Sequence, residues 1–176
     1  IKSQPKLENG PKNALILGGA AGYGLATRVA LAFGSNTETI SLSRGGEPKG
    51  KRTGSAGYWG AKYFDKIANN EGIKAHSIFA DCFSHETRKM LAEEIRNRFG
   101  KLELLVYSIA AGVRVNPDTQ EKVISALKPI GKTIDTFTID ISTKAKKELI
   151  VQPATQEEID NTTYCMGGQD WKLWVD

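Results

Sequence analysis

Apolar runs alternate with amphipathic stretches along the first 110 residues of the chain. Four runs have the length and the apolar or alternating character of β-strands, and they cover residues 14–17, 39–43, 75–80 and 102–107. Three stretches with apolar residues at helical spacing lie between them, at residues 23–33, 57–70 and 84–99. Strands that alternate with helices favour a parallel sheet, because each return to a parallel strand needs a crossover. We therefore predict an α/β fold with a doubly wound parallel sheet.

Glycines and one serine mark the ends of the predicted helices. Gly34, Gly72 and Gly100 follow the three helical stretches, and glycine readily takes the left-handed conformation that ends a helix. Ser84 precedes the third helix and is its predicted N-cap. The apolar side chains of the third helix are expected to face the core: Met90, Leu91, Ile95 and Phe99.

The alternation stops after Ala111. Residues 112–136 show no clear period and are predicted to be irregular. Residues 132–152 then hold alternating apolar and polar positions, a lysine-rich turn and an apolar run, which predict an inserted antiparallel β-hairpin. The sequence Thr155-Gln156-Glu157-Glu158 is a capping box, so a helix is predicted to begin there and to end near Gly167-Gly168.

Length and composition indicate a globular protein. The chain has 176 residues, of which 40% are apolar and 25% charged, and this size suits one domain. Both ends look cut, since the sequence begins with Ile1 and ends inside an amphipathic stretch. We therefore expect residues 1–176 to form a single domain that is incomplete at both ends and belongs to a larger protein. No apolar run approaches the ~18 residues that span a bilayer, and no secretory signal opens the sequence.

Charge and cysteine content exclude some partners. The chain has 24 basic and 20 acidic residues, and the two kinds alternate along most of its length, so no nucleic-acid surface is predicted. Cys82 and Cys165 have no second cysteine or histidine at metal-ligand spacing. They are predicted to be buried thiols in a reducing compartment, which places the protein in the cytoplasm.

The strongest chemical motif lies between the first predicted strand and the first helix. Gly18, Gly22 and Gly24 have the spacing Gly-x-x-x-Gly-x-Gly. The first glycine permits a tight turn, the second lets the backbone approach a pyrophosphate, and the third lets the helix pack closely on the strand. The helix N-terminus adds N–H groups and a partial positive charge. A tight turn without a ligand is the alternative, but the flanking elements favour a Rossmann-type dinucleotide site that also includes Tyr23 and Leu25.

The end of the second strand selects the nucleotide. An acidic residue there would bind the ribose 2′-OH of NADH, but this chain has Ser43-Arg44. The following loop carries Lys49, Lys51 and Arg52 against Glu47. A guanidinium at this place can pair with a 2′-phosphate, so the cofactor is predicted to be NADPH, or either NADH or NADPH. The alternative is a solvated basic loop without a ligand.

Two further strand ends are expected to contact the cofactor, because ligands bind outside the carboxyl ends of parallel strands. Asp81 and Cys82 close the third strand, and the Asp81 carboxylate can accept from the adenine amino group. A helix cap is the alternative role for Asp81. Small residues at Ser108-Ile109-Ala110 end the fourth strand and would let the nicotinamide ribose lie against the backbone.

Several longer motifs have no role in a generic fold, and they run along nearly the whole chain: residues 9–12, 22–26, 55–59, 106–110, 127–131, 153–159 and 166–171. With these motifs the chain resembles the trans-2-enoyl-CoA reductases and their enoyl-acyl-carrier-protein reductase relatives, extended members of the short-chain dehydrogenase/reductase superfamily. The resemblance implies reduction of the C2–C3 double bond of a 2-enoyl thioester, carried by coenzyme A or acyl carrier protein, in fatty-acid synthesis. It implies NADH or NADPH as cofactor, and neither a nucleic-acid nor a membrane partner.

The catalytic pair of the family is expected outside this sequence. In the family a tyrosine paired with a lysine, in a Tyr-x8-Lys pattern, lies beyond the Met-Gly-Gly-x-Asp-Trp motif, and here that motif stands just before Asp176. Tyr164 and Lys172 come close to this spacing, but Tyr164 precedes the motif and Lys172 directly follows it, so we interpret their spacing as chance. No catalytic residue is therefore predicted within the chain.

Two departures from the family pattern qualify the resemblance. Ser43-Arg44 replaces the acid of NADH-dependent members, and Ala111-Gly112-Val113-Arg114 replaces a Ser-Pro-Arg-Arg segment. Arg114 is retained, so the resemblance implies a contact with phosphates of coenzyme A or cofactor, and a surface arginine is the alternative. A non-catalytic dinucleotide-binding domain and a carbonyl reductase are the alternative functions. The carbonyl reductases carry a Tyr-x-x-x-Lys motif that residues 112–176 lack.

Overall fold

The computed structural model describes residues 5–166 and 168–175. The chain divides into two compact units, Ile1–Ile109 and Ala110–Asp176. The first unit alternates strands with helices, as follows: β1 (Asn13–Leu17), α1 (Gly22–Ser35), β2 (Glu38–Ser43), α2 (Ala56–Asn70), β3 (Ala75–Phe79), α3 (His85–Phe99) and β4 (Leu104–Tyr107).

The four strands of the first unit form one parallel sheet in the order β3-β2-β1-β4. Leu15 of β1 stands opposite Ile40 of β2 on one side and Leu105 of β4 on the other. All five residues of β1 are buried, which explains why residues 14–17 of this strand are an unbroken apolar run rather than an alternating one. The α/β architecture predicted from the sequence is confirmed.

Helix α1 buries a stripe of residues four positions apart, Gly24, Arg28 and Ala32. Ala32 belongs to a cluster of buried apolar residues from α1, α2 and β3, which also holds Phe64, Ala68, Ile73 and Ala75. The Arg28 side chain is fully buried, a placement that was not predicted from the sequence. The spacing of four residues from Gly24 and Ala32 is the signal that could have placed it there.

Most predicted boundaries of the first unit are confirmed within one or two residues. The Ser84 hydroxyl accepts from the Thr87 N–H over 3.2 Å and caps α3 as predicted. Gly34 does not end α1, which continues to Ser35 and ends at Asn36 with φ of +55°. Asparagine tolerates this left-handed conformation, so the expected glycine is not needed.

Two expectations for the first unit are wrong. Met90 does not face the core but is 41% exposed, whereas its neighbour Leu91 is fully buried. Adjacent residues on a helix point about 100° apart, so both cannot face the same core. The fourth strand begins at Leu104 rather than at Leu102.

The second unit contains two antiparallel hairpins followed by two helices over the described residues. Its elements are β5 (Val113–Val115), β6 (Lys122–Ile124), β7 (Ile134–Ile139), β8 (Lys146–Val151), α4 (Gln156–Met166) and α5 (Gly168–Val175). Strands β7 and β8 form the hairpin that was predicted over residues 132–152. The division of the whole chain into a single domain with an inserted hairpin stays a prediction.

Residues 112–136 were predicted to be irregular. This prediction is wrong in part, because β5 and β6 form an antiparallel hairpin within them. Each strand has three residues, which is too short to show an alternating pattern. Their turn is closed by the Asn116 N–H, which donates to the Glu121 carbonyl over 2.8 Å, and by Gln120 with φ of +62°.

The capping box of α4 is confirmed. The Thr155 N–H donates to the Glu158 carboxylate over 2.9 Å, and the Glu158 N–H donates to the Thr155 hydroxyl over 3.2 Å. Lys128 donates to the same carboxylate over 2.5 Å, and this hydrogen bond is the main cause that lowers the pKa of Glu158. Helix α4 ends at Met166, and the predicted end at Gly167 lies outside the described residues.

None of the helices over the described residues is both long enough and apolar enough to cross a bilayer.

The turn between β7 and β8 gives a prediction for acid pH. Hydrogen bonds from Lys147, Ser142 and the Thr143 N–H lower the pKa of the Asp140 carboxyl well below its ordinary value. A lowered pKa in the folded state means that the carboxylate stabilises the hairpin above about pH 4, the ordinary value for aspartate, and that this contribution is lost as the pH falls further. We expect the NMR titration of Asp140 to show a midpoint below that ordinary value.

Lys147→Gln removes the first of these causes and is the matched variant. Its Asp140 midpoint is expected to move up toward the ordinary value of about 4. A wild-type midpoint at or above that value, or one that Lys147→Gln leaves in place, would contradict the hydrogen-bonded turn.

Candidate cofactor site

The turn from Gly18 to Gly24 joins the end of β1 to the start of α1. Gly18 has a φ of +85°, which lies in the left-handed region that favours glycine. Its N–H donates to the carbonyl of Leu42 in β2 over 2.7 Å. A Cβ on Gly18 would stand 2.3 Å from the carbonyl oxygen of Ser108, which follows β4. Gly18 therefore lets β1 end in a tight turn between its two neighbouring strands.

The other two glycines of the motif face different surroundings. A Cβ on Gly24 would stand 2.3 Å from the Gly18 carbonyl oxygen, so a glycine is needed where α1 passes this close to the turn. Gly22 has a φ of +53°, and its Cβ position has no atom of the described residues within 4 Å beyond its chain neighbours. Gly24 is thus packed against the protein, whereas the position of Gly22 is open to an approaching group.

The N-terminus of α1 offers its backbone N–H groups at the same place. The N-cap residue of α1 is Ala21, whose methyl side chain cannot accept a hydrogen bond from these groups. The first turn of the helix holds no acidic residue. The positive end of this 14-residue helix is therefore compensated neither by a cap side chain nor by an acidic residue of its own first turn. Tyr23 in this turn is 91% exposed, and Leu25 is half-buried.

Ser43 and Arg44 differ sharply in their surroundings at the end of β2. Ser43 is buried, and its hydroxyl accepts from the Ala20 N–H of the glycine turn over 3.0 Å. The hydroxyl therefore fixes the turn to β2. Arg44 is exposed, and it is the first side chain beyond the strand that reaches solvent at this edge of the sheet.

The residues after β3 form a compact turn. Asp81 is exposed, and its carboxylate accepts from the Phe83 N–H over 3.0 Å. The cap of α3 is Ser84, so the alternative role of Asp81 as helix cap is wrong. Cys82 is buried, as is Cys165 in the second unit, and among the described residues neither forms a disulfide, as predicted.

The residues after β4 lie against the glycine turn. The Ser108 N–H donates to the Leu17 carbonyl over 2.9 Å, and the Ile109 side chain lies 2.9 Å from the place of a Cβ on Gly18. Both residues are half-buried. Ala110 is exposed and begins the second unit, and its contact with a cofactor stays a prediction.

A cavity of about 510 Å³ lies in the loop between β2 and α2. The loop is closed by the Ser55 N–H, which donates to the Gly46 carbonyl over 2.7 Å, and by Gly54 with a φ of +86°. The cations of this loop are evident in the sequence, but its cavity is not. The glycines at both ends of the loop, which let its ends approach, are the signal that could have found it. The cavity is lined by Gly45, Gly46, Glu47, Lys51, Arg52, Thr53, Gly54 and Ser55.

Arg114 lies inside the second unit. It is 3% exposed, so the alternative of a surface arginine is wrong. Its guanidinium lies 3.1 Å from the Asp170 carboxylate, donates to the Tyr164 carbonyl over 3.1 Å, and stacks 4.3 Å from the centre of the Tyr164 ring. Burial raises the pKa of Tyr164 above its ordinary value, although the charge of Arg114 opposes this. The implied contact of Arg114 with substrate phosphates stays a prediction.

Two family models match adjoining parts of the chain. The model described as the NAD(P)H binding domain of trans-2-enoyl-CoA reductase matches residues 1–50. The model described as the trans-2-enoyl-CoA reductase catalytic region matches residues 52–176, which is more than half of the chain. The chain belongs to the trans-2-enoyl-CoA reductase family. The resemblance drawn from the motifs is therefore confirmed.

Individual relatives of this family match the chain along almost its whole length. The enoyl-acyl-carrier-protein reductase (NADH) of Serratia proteamaculans is 43% identical over 176 residues, which are 100% of this chain and 44% of that protein. The protein of the same name from Edwardsiella ictaluri is 46% identical over 169 residues, which are 96% of this chain and 43% of that protein.

A solved structure of the family shows the same fold. The trans-2-enoyl-CoA reductase of Treponema denticola, crystallised in complex with NAD, superposes with a TM-score of 0.85 at 39% identity. The match covers 99% of this chain and 43% of that one. The chain thus spans less than half the length of the relatives that it matches.

Proposed function

We propose that the whole protein reduces the C2–C3 double bond of a 2-enoyl thioester with NADH or NADPH, and that the first unit of this chain binds the dinucleotide. The thioester is carried by coenzyme A or acyl carrier protein, and the reaction serves fatty-acid synthesis. The observation that carries the proposal is the Gly18–Gly24 turn, which presents an uncapped helix N-terminus at the end of a central parallel strand. The names of the matching reductases support it.

The residues of the turn fit a pyrophosphate. The Gly18 and Gly24 positions exclude any side chain, so the backbone of the turn keeps its shape. The space outside Gly22 allows phosphate oxygens to reach the N–H groups of α1. We propose that residues at the turn and at the neighbouring strand ends contact the remainder of the dinucleotide: Tyr23, Leu25, Ser43, Arg44, Asp81, Cys82, Ser108 and Ile109.

The chemistry of the reaction divides between the dinucleotide and the protein. When bound, a reduced nicotinamide supplies the hydride that adds to the double bond of the enoyl thioester. Negative charge then develops on the thioester carbonyl oxygen, and a protein hydrogen-bond donor has to stabilise it. We propose that the tyrosine and lysine of the family pattern supply this donor from sequence beyond Asp176. The residues of this chain bind the dinucleotide and orient it.

The proposed reaction implies a cytoplasmic protein, because acyl thioesters and reduced nicotinamides are consumed there. Cys82 and Cys165 agree with a reducing compartment, since both are buried and, among the described residues, neither forms a disulfide. We propose no further macromolecular partner beyond an acyl carrier protein, if that is the thioester carrier.

The proposal is tested by oxidation of NADH and NADPH by the whole protein with crotonyl-CoA as substrate. We expect nicotinamide absorbance to fall with crotonyl-CoA and to stay constant with acetaldehyde or a simple ketone. Faster turnover of the carbonyl compounds would make the protein a carbonyl reductase. Binding of the dinucleotide without turnover of any substrate would leave a non-catalytic dinucleotide-binding protein.

A further inference from the structure

The end of β2 lies beside the glycine turn, because two hydrogen bonds join them. The Gly18 N–H donates to the Leu42 carbonyl over 2.7 Å, and the Ala20 N–H donates to the Ser43 hydroxyl over 3.0 Å. A dinucleotide with its pyrophosphate on the turn therefore places its adenosine ribose near the residue that follows β2. That residue is Arg44, and its side chain is exposed.

β2 does not end in the carboxylate that usually binds an unmodified ribose. A carboxylate that accepts from the 2′-OH is the usual means of binding NADH, but β2 ends in Ser43. The Ser43 hydroxyl is buried and already accepts from the glycine turn. The nearest carboxylate along the loop is Glu47, three residues beyond Arg44.

The loop that follows adds positive charge around a cavity. Residues 44–55 carry four cationic side chains and one carboxylate. Lys51 and Arg52 line the cavity of about 510 Å³. Among the described residues, neither these two side chains nor Arg44 has an ion-pair partner. Their charge is thus available to an anion.

The loop is held in shape by its own backbone. The N–H groups of Lys49 and Arg52 donate to each other's carbonyls over 3.1 and 3.0 Å, and the Trp59 indole donates to the Thr53 carbonyl over 2.6 Å. The Ser55 N–H closes the loop on the Gly46 carbonyl. These contacts do not involve the cationic side chains of the loop. The loop can therefore present those side chains to a ligand at little conformational cost.

We propose that Arg44, supported by Lys51 and Arg52, binds the 2′-phosphate of NADPH, so that this protein prefers NADPH to NADH. The inference rests on the proposed dinucleotide site. A guanidinium binds a phosphate with paired, charge-assisted hydrogen bonds, whereas the 2′-OH of NADH offers it one neutral oxygen. This preference would distinguish the chain from the relatives above that are named for NADH.

Binding measurements on the whole protein test the preference without any turnover. Titration of tryptophan fluorescence with NADPH and with NADH gives the two dissociation constants, and titration calorimetry with 2′-phospho-ADP-ribose and with ADP-ribose isolates the ribose contact. We expect NADPH and the phosphorylated fragment to bind at least tenfold more tightly than their counterparts. The difference is expected to shrink as salt is added, because the loop is exposed.

Two arginine variants provide the matched comparison. Arg44→Gln is expected to lower the affinity for NADPH at least tenfold relative to the affinity for NADH. Arg96→Gln removes the same charge from an exposed position of α3 and should leave both affinities and their ratio unchanged. Thermal unfolding of both variants at the same temperature as the wild type shows that the fold is intact.

Each outcome bears on the inference in a defined way. A wild-type preference for NADPH below tenfold, or a preference that survives Arg44→Gln, overturns the role of Arg44. Tight binding of NADH alone overturns the NADPH inference but leaves the proposed reductase intact. Failure of both dinucleotides to bind would remove the proposed cofactor site itself.

Discussion

Gly24→Ala is expected to abolish detectable dinucleotide binding and to lower the free energy of unfolding by about 3 kcal/mol, the upper range for an overpacked site. The new Cβ would stand 2.3 Å from the Gly18 carbonyl oxygen and 2.8 Å from its carbonyl carbon. Both are backbone atoms, so α1 has to move away from the turn rather than displace a flexible side chain. That movement would disturb the N–H groups on which the pyrophosphate is proposed to rest. Fluorescence titration and denaturant unfolding measure the two effects.

Gly34→Ala is the control for this prediction. Gly34 belongs to the same helix, and its Cβ position has no atom of the described residues within 4 Å beyond its neighbours. Alanine there is expected to leave dinucleotide binding unchanged and to raise stability by up to about 1 kcal/mol, because it has the higher helix propensity. If the Gly24→Ala variant bound the dinucleotide as tightly and unfolded with the same free energy as Gly34→Ala, the close approach of α1 to the turn would contribute to neither binding nor stability.

Asp65→Ala is expected to destabilise the first unit by about 3–5 kcal/mol, because it leaves a buried charge without its partner. The Arg28 side chain is fully buried, and its guanidinium lies 2.7 Å from the Asp65 carboxylate. Burial lowers the pKa of Arg28, and the charge of Asp65 opposes that shift. Removal of the carboxylate would leave the guanidinium with the hydroxyls of Thr39 and Ser77 and the His76 carbonyl. Denaturant unfolding with an unchanged m-value measures the loss.

Lys74→Ala gives the matched measurement on an exposed ion pair. Lys74 lies 3.8 Å from Glu38, and its side chain is 74% exposed, so its loss is expected to cost less than about 1 kcal/mol. Asp65→Asn keeps a carbonyl oxygen for Arg28 but removes the charge, and its stability is expected between those of Asp65→Ala and the wild type. An Asp65→Ala variant as stable as Lys74→Ala would show that Arg28 is hydrated or finds another partner.

The candidate cofactor site was predictable from the sequence where it depends on neighbouring residues. The glycine spacing, the apolar run before it and the helical stretch after it all lie within about 20 residues, and the turn has the geometry that these patterns indicate. The cavity of the loop after β2 was not predictable, because it depends on Ser55 closing back on Gly46. No periodic pattern records such a contact.

Position in the sequence was misleading for the two arginines that the structure buries. Arg28 stands in an amphipathic helix, and charged residues in such helices usually face water. It is buried because Asp65 and Ser77 reach it from α2 and β3. Arg114 lies in a stretch without clear periodicity, yet Asp170 and Tyr164, about 50 residues further along, surround it.

The sequence by itself determined the order of the elements in the first unit, the glycine turn, the capping box of α4 and the family. These features follow from local propensity and from the spacing of a few neighbouring residues. Only the tertiary structure decided that the Ser43 hydroxyl holds the turn, that Arg44 faces solvent beside it, and that Arg114 is enclosed by its own unit. Each of these depends on residues that are distant in the sequence and are brought together by packing, where partner and distance decide what a charged or polar side chain can do.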